Sequence, residues 1–220
     1  MAKCRLFNRK KRLNIGGYKV KNLFLIDGSA GVGKTDMVEY IRQKYSHGDL
    51  VGLVPKFTTR GRRPEEIARV LALDLLFISR EKFNEHLEKP NFYSYEYGGE
   101  RYGFHKIDVD KALASYQNVF IIVRDRITIK QIINDYPKVC TVPVFIYADN
   151  DHVIRRLIKE GYDNSSIEFR LSRQTLVYDD YLKHSDLYQE VILNDSNKRD
   201  LQRLIDMLVK LPQLLLGEFH

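Results

Sequence analysis

Apolar and polar positions alternate along this chain with two different periods, and each change of period marks an element. Residues 23–26 form an unbroken apolar run, as a strand buried on both faces requires. Residues 36–44 then carry apolar side chains at helical spacing. His47-Gly48-Asp49 breaks that helix, and 50–54 reads as a second short strand. A polar, positively charged stretch follows at 56–66. Beyond it, 75–78 predicts a strand and 80–88 a short helix that ends at Pro90. Residues 92–97 alternate aromatic with polar, as a half-exposed strand does, and Gly98-Gly99 turns the chain back into Tyr102-Gly103. A helix is expected over 108–116, buried strands over 118–125 and 142–147, and an arginine-bearing helical stretch over 151–184. A last strand at 191–193 and a closing amphipathic helix at 199–208 complete the series. No internal repeat interrupts it.

Strands alternating with helices predict an α/β fold with a parallel sheet covered on both faces. Between 56 and 104, however, strands follow one another with little helix. That segment is expected to be a small, mostly β insertion standing off the main sheet. Ligands of such folds bind beyond the carboxyl ends of the strands.

One motif gives that end of the sheet a chemistry. Directly after the first apolar run stands Gly28-Ser29-Ala30-Gly31-Val32-Gly33-Lys34-Thr35, a G-x-x-x-x-G-K-T sequence placed between a strand and a helix N-terminus. Gly28, Gly31 and Gly33 let the backbone curl so that successive N–H groups face phosphate oxygens. Lys34 is expected to reach the β- and γ-phosphates, and Thr35 to offer its hydroxyl to Mg²⁺. The expected cofactors are therefore ATP and Mg²⁺, and residues 28–35 are the expected cofactor-binding set. With this motif the fold class narrows to a three-layer α/β/α P-loop architecture.

Charge and cysteine usage add little. The chain has 220 residues and a formal net charge of +7, which the first 26 residues account for. They hold Lys3, Arg5, Arg9, Lys10, Lys11, Arg12, Lys19 and Lys21 with no acid, so the rest is close to neutral. Residues 1–21 are expected to be a solvated arm. It carries no interleaved aromatics of the kind that stack on bases, and a nucleic-acid partner is not expected. No apolar run is long enough to span a membrane and no export leader is visible, so a cytoplasmic protein is expected. Cys4 and Cys140 are far apart and are expected to be reduced thiols.

Several motifs taken together resemble the guanylate kinase family of nucleoside monophosphate kinases. They are Thr58-Thr59-Arg60 with Arg63 and Glu66, then 74–79, Gly99 to Gly103 with Tyr102, Arg156-Leu157 with Gly161, Ile167 and Arg170-Leu171, and 191–195 ending in Asn194-Asp195. Their order covers 23 to about 208. The resemblance implies a core of 22–55, 105–150 and 185–220, an acceptor-binding insertion of 56–104 and a helical lid of 151–184. It implies transfer of the γ-phosphoryl group of ATP to a small phosphorylated acceptor. Arg60 and Arg63, with Tyr102, would grip the acceptor's phosphate, and Glu66 belongs to the same segment. Arg156 and Arg170 would close with the lid and, with Lys34, stabilise the transferred group.

The chain departs from the family pattern where the acceptor base is read. Lys56 replaces a serine, Leu75 a tyrosine and Phe104 a hydroxyl residue. The strand-end aspartates fall on Ile122 and Arg124, with Asp125 the nearest acid. The guanine-reading glutamate falls near Ser94, leaving Glu96 as the nearest carboxylate, and the second lid arginine is Glu160. An acceptor other than GMP follows: another nucleoside monophosphate or a phosphorylated sugar. The alternative is a nucleotide-sensing or protein-binding module without turnover. Tyr95 and Tyr97 either stack on a base or pack within the insertion. The leucine-rich 201–215 either packs on the core or forms a dimer seam, so a monomer or a homodimer is expected.

Overall fold

The computed structural model describes residues 21–45, 47–62, 66, 74–194 and 198–215. The expectations for the basic arm up to residue 20, for Cys4, Arg63 and Asp195 lie outside the described residues. Five parallel strands form the main sheet: β1 (Asn22–Asp27), β2 (Val51–Leu53), β7 (Asn118–Ile122), β8 (Cys140–Tyr147) and β9 (Glu190–Leu193), in the order β2-β7-β1-β8-β9. All six residues of β1 are buried, because helices cover both faces of the central strand. On one face Phe24, Ile26, Phe120 and Val144 pack with Met37, Val38 and Ile41 of α1 (Lys34–Tyr45). The same cluster takes Leu201, Ile205, Leu208 and Val209 of the closing helix, so the leucine-rich tail is core packing there. On the other face Leu23, Leu25, Val119 and Ile121 meet α3 (Lys106–Ser115) and α4 (Arg126–Asp135).

The insertion forms a separate four-stranded sheet, β4-β3-β6-β5, from β3 (Lys56–Thr58), β4 (Leu75–Phe77), β5 (Phe92–Tyr97) and β6 (Glu100–His105), with α2 (Arg80–Leu87) between β4 and β5. Gly98 (φ 69°) and Gly99 (φ 77°) close the β5–β6 hairpin, a pair of positive φ values that matches the twist of the flanking strands. Contrary to expectation, this sheet does not stand off. Its inner face, with Tyr93, Tyr95, Tyr102 and Phe104, shares a core with α3 and α4.

Two other expectations need correction. The chain enters β3 at Lys56, inside the stretch read as polar, because Lys56 and Thr58 alternate inward and find polar partners. Helix α4 was not anticipated: Ile127, Ile129, Ile132 and Ile133 are β-branched, but Asp125 caps it, accepting from Thr128 N at 2.8 Å and Thr128 Oγ1 at 2.7 Å.

The stretch expected to be a lid is two helices, α5 (Asn150–Lys159) and α6 (Asn164–Lys183). Gly161 (φ 84°) ends α5 in a Schellman turn, with Tyr162 N donating to Leu157 O and Gly161 N to Ile158 O, each at 3.0 Å. Asp149 and Asp163 cap the two helices. Helix α7 (Lys198–Leu215) closes the chain against α1, where Asp206 accepts from Tyr40 Oη (2.8 Å), Tyr45 Oη (2.7 Å) and Lys44 Nζ (2.5 Å).

Candidate active site

The β1–α1 loop is built for close approach of backbone. Gly28, Gly31 and Gly33 all have positive φ, at 134°, 81° and 98°. A Cβ on Gly28 would lie 2.3 Å from the Ile146 carbonyl oxygen, and one on Gly33 would lie 2.3 Å from Asn194 Nδ2. Space, and not conformation alone, demands glycine there. Asp27, the last residue of β1, accepts from Gly28 N at 2.6 Å and from the Tyr188 hydroxyl at 2.5 Å. Burial pushes the Asp27 carboxyl above its ordinary range, against the pull of Tyr188, Gly28 N–H, Lys34 and Arg124.

Lys34 is buried, and its ammonium turns into the loop, donating to the Gly28 carbonyl at 2.5 Å and to that of Ser29. Thr35 stands exposed in the first turn of α1. Mg²⁺ commonly takes one or two protein oxygens, with phosphate and water oxygens supplying the rest. One exposed hydroxyl at the start of α1, directly after the glycine loop, fits that donor set. Among the described residues, no group of three or more His, Cys, Asp or Glu could hold a metal by itself.

Two elements fix the loop from outside. Arg156 of α5 donates to the Gly31 carbonyl at 3.1 Å, and Val153, one turn earlier, packs where a Cβ on Gly31 would be. Burial pulls the Arg156 guanidinium below its ordinary pKa. Asn194, at the end of β9, donates to the Val32 carbonyl at 2.8 Å. Arg156 is thus brought to the donor loop. Arg170 is half-buried, with its guanidinium over the Tyr162 ring at 4.1 Å, and no hydrogen bond or ion pair ties it to that loop.

The small sheet presents its inner face to the same end of the main sheet. Lys56 Nζ donates to the Ile122 carbonyl at 3.0 Å, and the Tyr95 hydroxyl donates to the same oxygen at 3.3 Å. Ile122 ends β7 and pairs with Ile26, one residue before Asp27. Around this join stand Tyr102, stacked on Tyr95 at 5.5 Å, and Arg60, which forks onto both Glu66 carboxylate oxygens and lies over Phe77. Arg60 and Glu66 are thus paired, and Tyr102 lies opposite Thr58, two residues before Arg60.

Glu96 does not join them. Strand alternation turns Ser94 and Glu96 to the opposite face, where Glu96 is largely exposed and pairs with Arg101 at 3.3 Å. The departures from the family pattern also sort themselves by position. Phe104 lies in the core and Leu75 beside it. Lys56 is buried and held 3.0 Å from Asp74, so its charge is answered within the protein. Burial draws the Lys56 pKa below the ordinary lysine range, although Asp74 opposes this. Asp125 is occupied as a helix cap.

Arg173 joins the site without a motif having indicated it, and Arg124, already noted at a strand-end aspartate position, stands with it. Arg173, three positions after Arg170 and on the same face of α6, reaches the hairpin tip. A Cβ on Gly98 would meet its Nη1 at 2.3 Å, and its guanidinium stands over the Tyr97 ring at 4.4 Å. Arg124 stands over the same ring at 4.6 Å.

A strand, a glycine loop with its lysine turned inward, a helix N-terminus and a β insertion at one end of a parallel sheet define a P-loop nucleotide-binding protein. Comparison with known proteins narrows this. The guanylate kinase family model matches residues 20–211, and the chain belongs to that family. It is 28% identical over 194 residues to a guanylate kinase of Chlamydia caviae, covering 84% of each chain. It is 29% identical over 195 residues to a guanylate kinase of Syntrophomonas wolfei, covering 85% of this chain and 91% of that one. The crystal structure of guanylate kinase from Anaplasma phagocytophilum superposes with a TM-score of 0.62 at 15% identity, over 90% of this chain and 88% of that one, a likeness of fold. No helix among the described residues is long and apolar enough to cross a membrane.

Proposed function

We propose that this protein is an ATP- and Mg²⁺-dependent phosphotransferase acting on a small phosphorylated acceptor of the nucleoside monophosphate type. One observation carries the reading. The inward face of the insertion is fastened, through the Ile122 carbonyl, to the strand end beside the glycine loop, and the lid fastens Arg156 to the loop itself. Transfer between two bound phosphates requires donor loop, acceptor sheet and lid to converge, and these fastenings support such an arrangement. The relatives' names agree with such a reaction.

In the reaction an oxygen of the acceptor's phosphate attacks the γ-phosphorus, the bond to the β–γ bridging oxygen breaks, and ADP leaves with the electron pair. Lys34 would neutralise the donor phosphates from the loop floor. Mg²⁺ would add charge neutralisation on the donor side, with Thr35 as its protein ligand. Arg60 and Arg63, with Tyr102, would orient the acceptor's phosphate, and Arg156 and Arg170 would counter charge on the transferred group. Guanine offers N–H donors on its reading edge. In this chain Ser94 and Glu96 face away, Lys56 is neutralised, and Arg124 offers donors instead of acceptors. An acceptor other than GMP suits that chemistry better.

The test is ADP release from ATP–Mg²⁺ against the common NMPs, dNMPs and ribose phosphates, with GMP included. Acceptor-dependent ADP that disappears in Lys34→Ala is the expected result. Tight ATP binding with no acceptor-dependent ADP for any member of the panel would overturn the reading and favour a nucleotide sensor.

A further inference from the structure

The ion pairs around the site leave an imbalance. Arg60 is matched by Glu66, Lys56 by Asp74, and Arg101 by Glu96. Arg124 and Arg173 are half-buried, yet no described carboxylate lies within ion-pair distance of either. What they share is the Tyr97 ring, at 4.6 and 4.4 Å. A ring face attracts a cation but does not neutralise it. The carboxylate that feels Arg124 is Asp27, and its oxygens are already engaged by Gly28 N–H and the Tyr188 hydroxyl. The Tyr97 hydroxyl is itself buried and without a hydrogen-bond partner among the described residues. Two guanidiniums therefore share the Tyr97 ring, whose hydroxyl is spare, one coming from the end of a core strand and the other from α6.

Partly desolvated cations without counter-ions are costly, and guanidinium forks match oxyanions two oxygens at a time. We infer that Arg124 and Arg173, seated over Tyr97, form an anion subsite that takes a second negatively charged group of the acceptor, apart from the phosphate held at Arg60. This rests on the phosphotransfer reading and narrows its substrate class. The acceptor carries two anionic groups, one that receives the phosphoryl group and one that is read. Arg173 comes from the lid, so the second anion also draws the lid onto the hairpin, and Gly98 leaves the room for its guanidinium. Selectivity for the acceptor and closure become one event.

The experiment compares direct binding, by calorimetry, of a nucleoside 5′-monophosphate and the matched 3′,5′-bisphosphate. The proteins are wild type, Arg124→Gln/Arg173→Gln, Arg124→Lys/Arg173→Lys and Lys34→Ala, each checked for native circular dichroism. Wild type and Lys34→Ala should bind the bisphosphate at least tenfold more tightly than the monophosphate. The glutamine pair should lose that preference, with the bisphosphate losing at least tenfold more affinity than the monophosphate. The lysine pair, which keeps charge without the fork, should retain part of it. Equal binding of both ligands to wild type, or a preference that survives the glutamine pair, overturns the inference. If the preference behaves as expected but no acceptor supports ADP release, the phosphotransfer reading fails and the subsite stands.

Discussion

Lys56 and Asp74 offer a quantitative test of how the acceptor sheet is held to the core. The Lys56 side chain is 4% exposed and the Asp74 side chain 17%, with 3.0 Å between the charged atoms. Removing one member of a buried pair costs roughly 3–5 kcal/mol, because the other is left desolvated. Water at Asp74 softens this, and Asp74→Ala is expected to cost about 2–4 kcal/mol. Lys56→Met removes the buried charge itself. The Ile122 carbonyl keeps its bond from Tyr95, so the loss there is about 0.5–1.5 kcal/mol. The double variant should resemble Lys56→Met, so the coupling in a double-mutant cycle from urea denaturation should equal the Asp74→Ala cost, about 2–4 kcal/mol. The deficit of Asp74→Ala should also depend on pH. Burial already lowers the Lys56 pKa, and losing Asp74 lowers it further. Between that lowered value and the unfolded value of about 10.4 the unfolded chain binds more protons, so stability rises with pH. The deficit should therefore shrink as pH rises above the variant's lowered Lys56 pKa and level off above that of wild type. An Asp74→Ala protein within 0.5 kcal/mol of wild type at pH 7, or a double variant no more stable than Asp74→Ala, would refute the argument, on the ~1 kcal/mol scale of such effects.

Other perturbations reach the loop and the lid. Gly98→Ala places a Cβ at positive φ and 2.3 Å from Arg173 Nη1; it should cost about 1–2 kcal/mol in thermal denaturation and raise the acceptor KM more than it lowers kcat. Asn194→Asp sets a buried carboxylate against the Val32 carbonyl that now accepts from Nδ2; ATP affinity, read by calorimetry, should fall about tenfold or more. Asp27 takes up its proton at higher pH in the folded protein than in the unfolded chain, so wild type gains stability as pH falls through that raised value toward about 4. Asp27→Asn should be at least as stable as wild type at pH 7 and should lack that gain in denaturation curves from pH 8 to pH 4.

The donor loop was legible from sequence because its chemistry is local. Eight consecutive residues between a strand and a helix carry it, and the positive φ values fall on the glycines named. Gly98-Gly99 was legible for the same reason. Residues whose meaning depends on distant partners were not. Lys56 reads as a cation replacing a serine at the acceptor-base position until Asp74, 18 residues away, is seen beside it. Glu96 could have been set aside on period alone, since Tyr93, Tyr95 and Tyr97 claim one face of β5 and leave Ser94 and Glu96 the other. Arg173 lay within reach by helical spacing from Arg170, but nothing in the sequence says that α6 crosses the hairpin tip. Helix α4 hid behind β-branched residues, and the overlooked signal was its cap at Asp125.

The clamp at Asp206 has a consequence for the order in which this protein can mature. Tyr40, Lys44 and Tyr45, on the helix that follows the glycine loop, bind an acid up to 166 residues downstream. During synthesis the first helix must therefore leave the ribosome long before its anchor does, with the apolar face of Met37, Val38 and Ile41 still waiting for Leu201, Ile205 and Leu208. The earliest-made functional element is among the last to be secured. Until that later helix is made, the nascent chain carries an uncovered apolar surface, the condition under which chaperones hold a polypeptide and aggregation competes with folding.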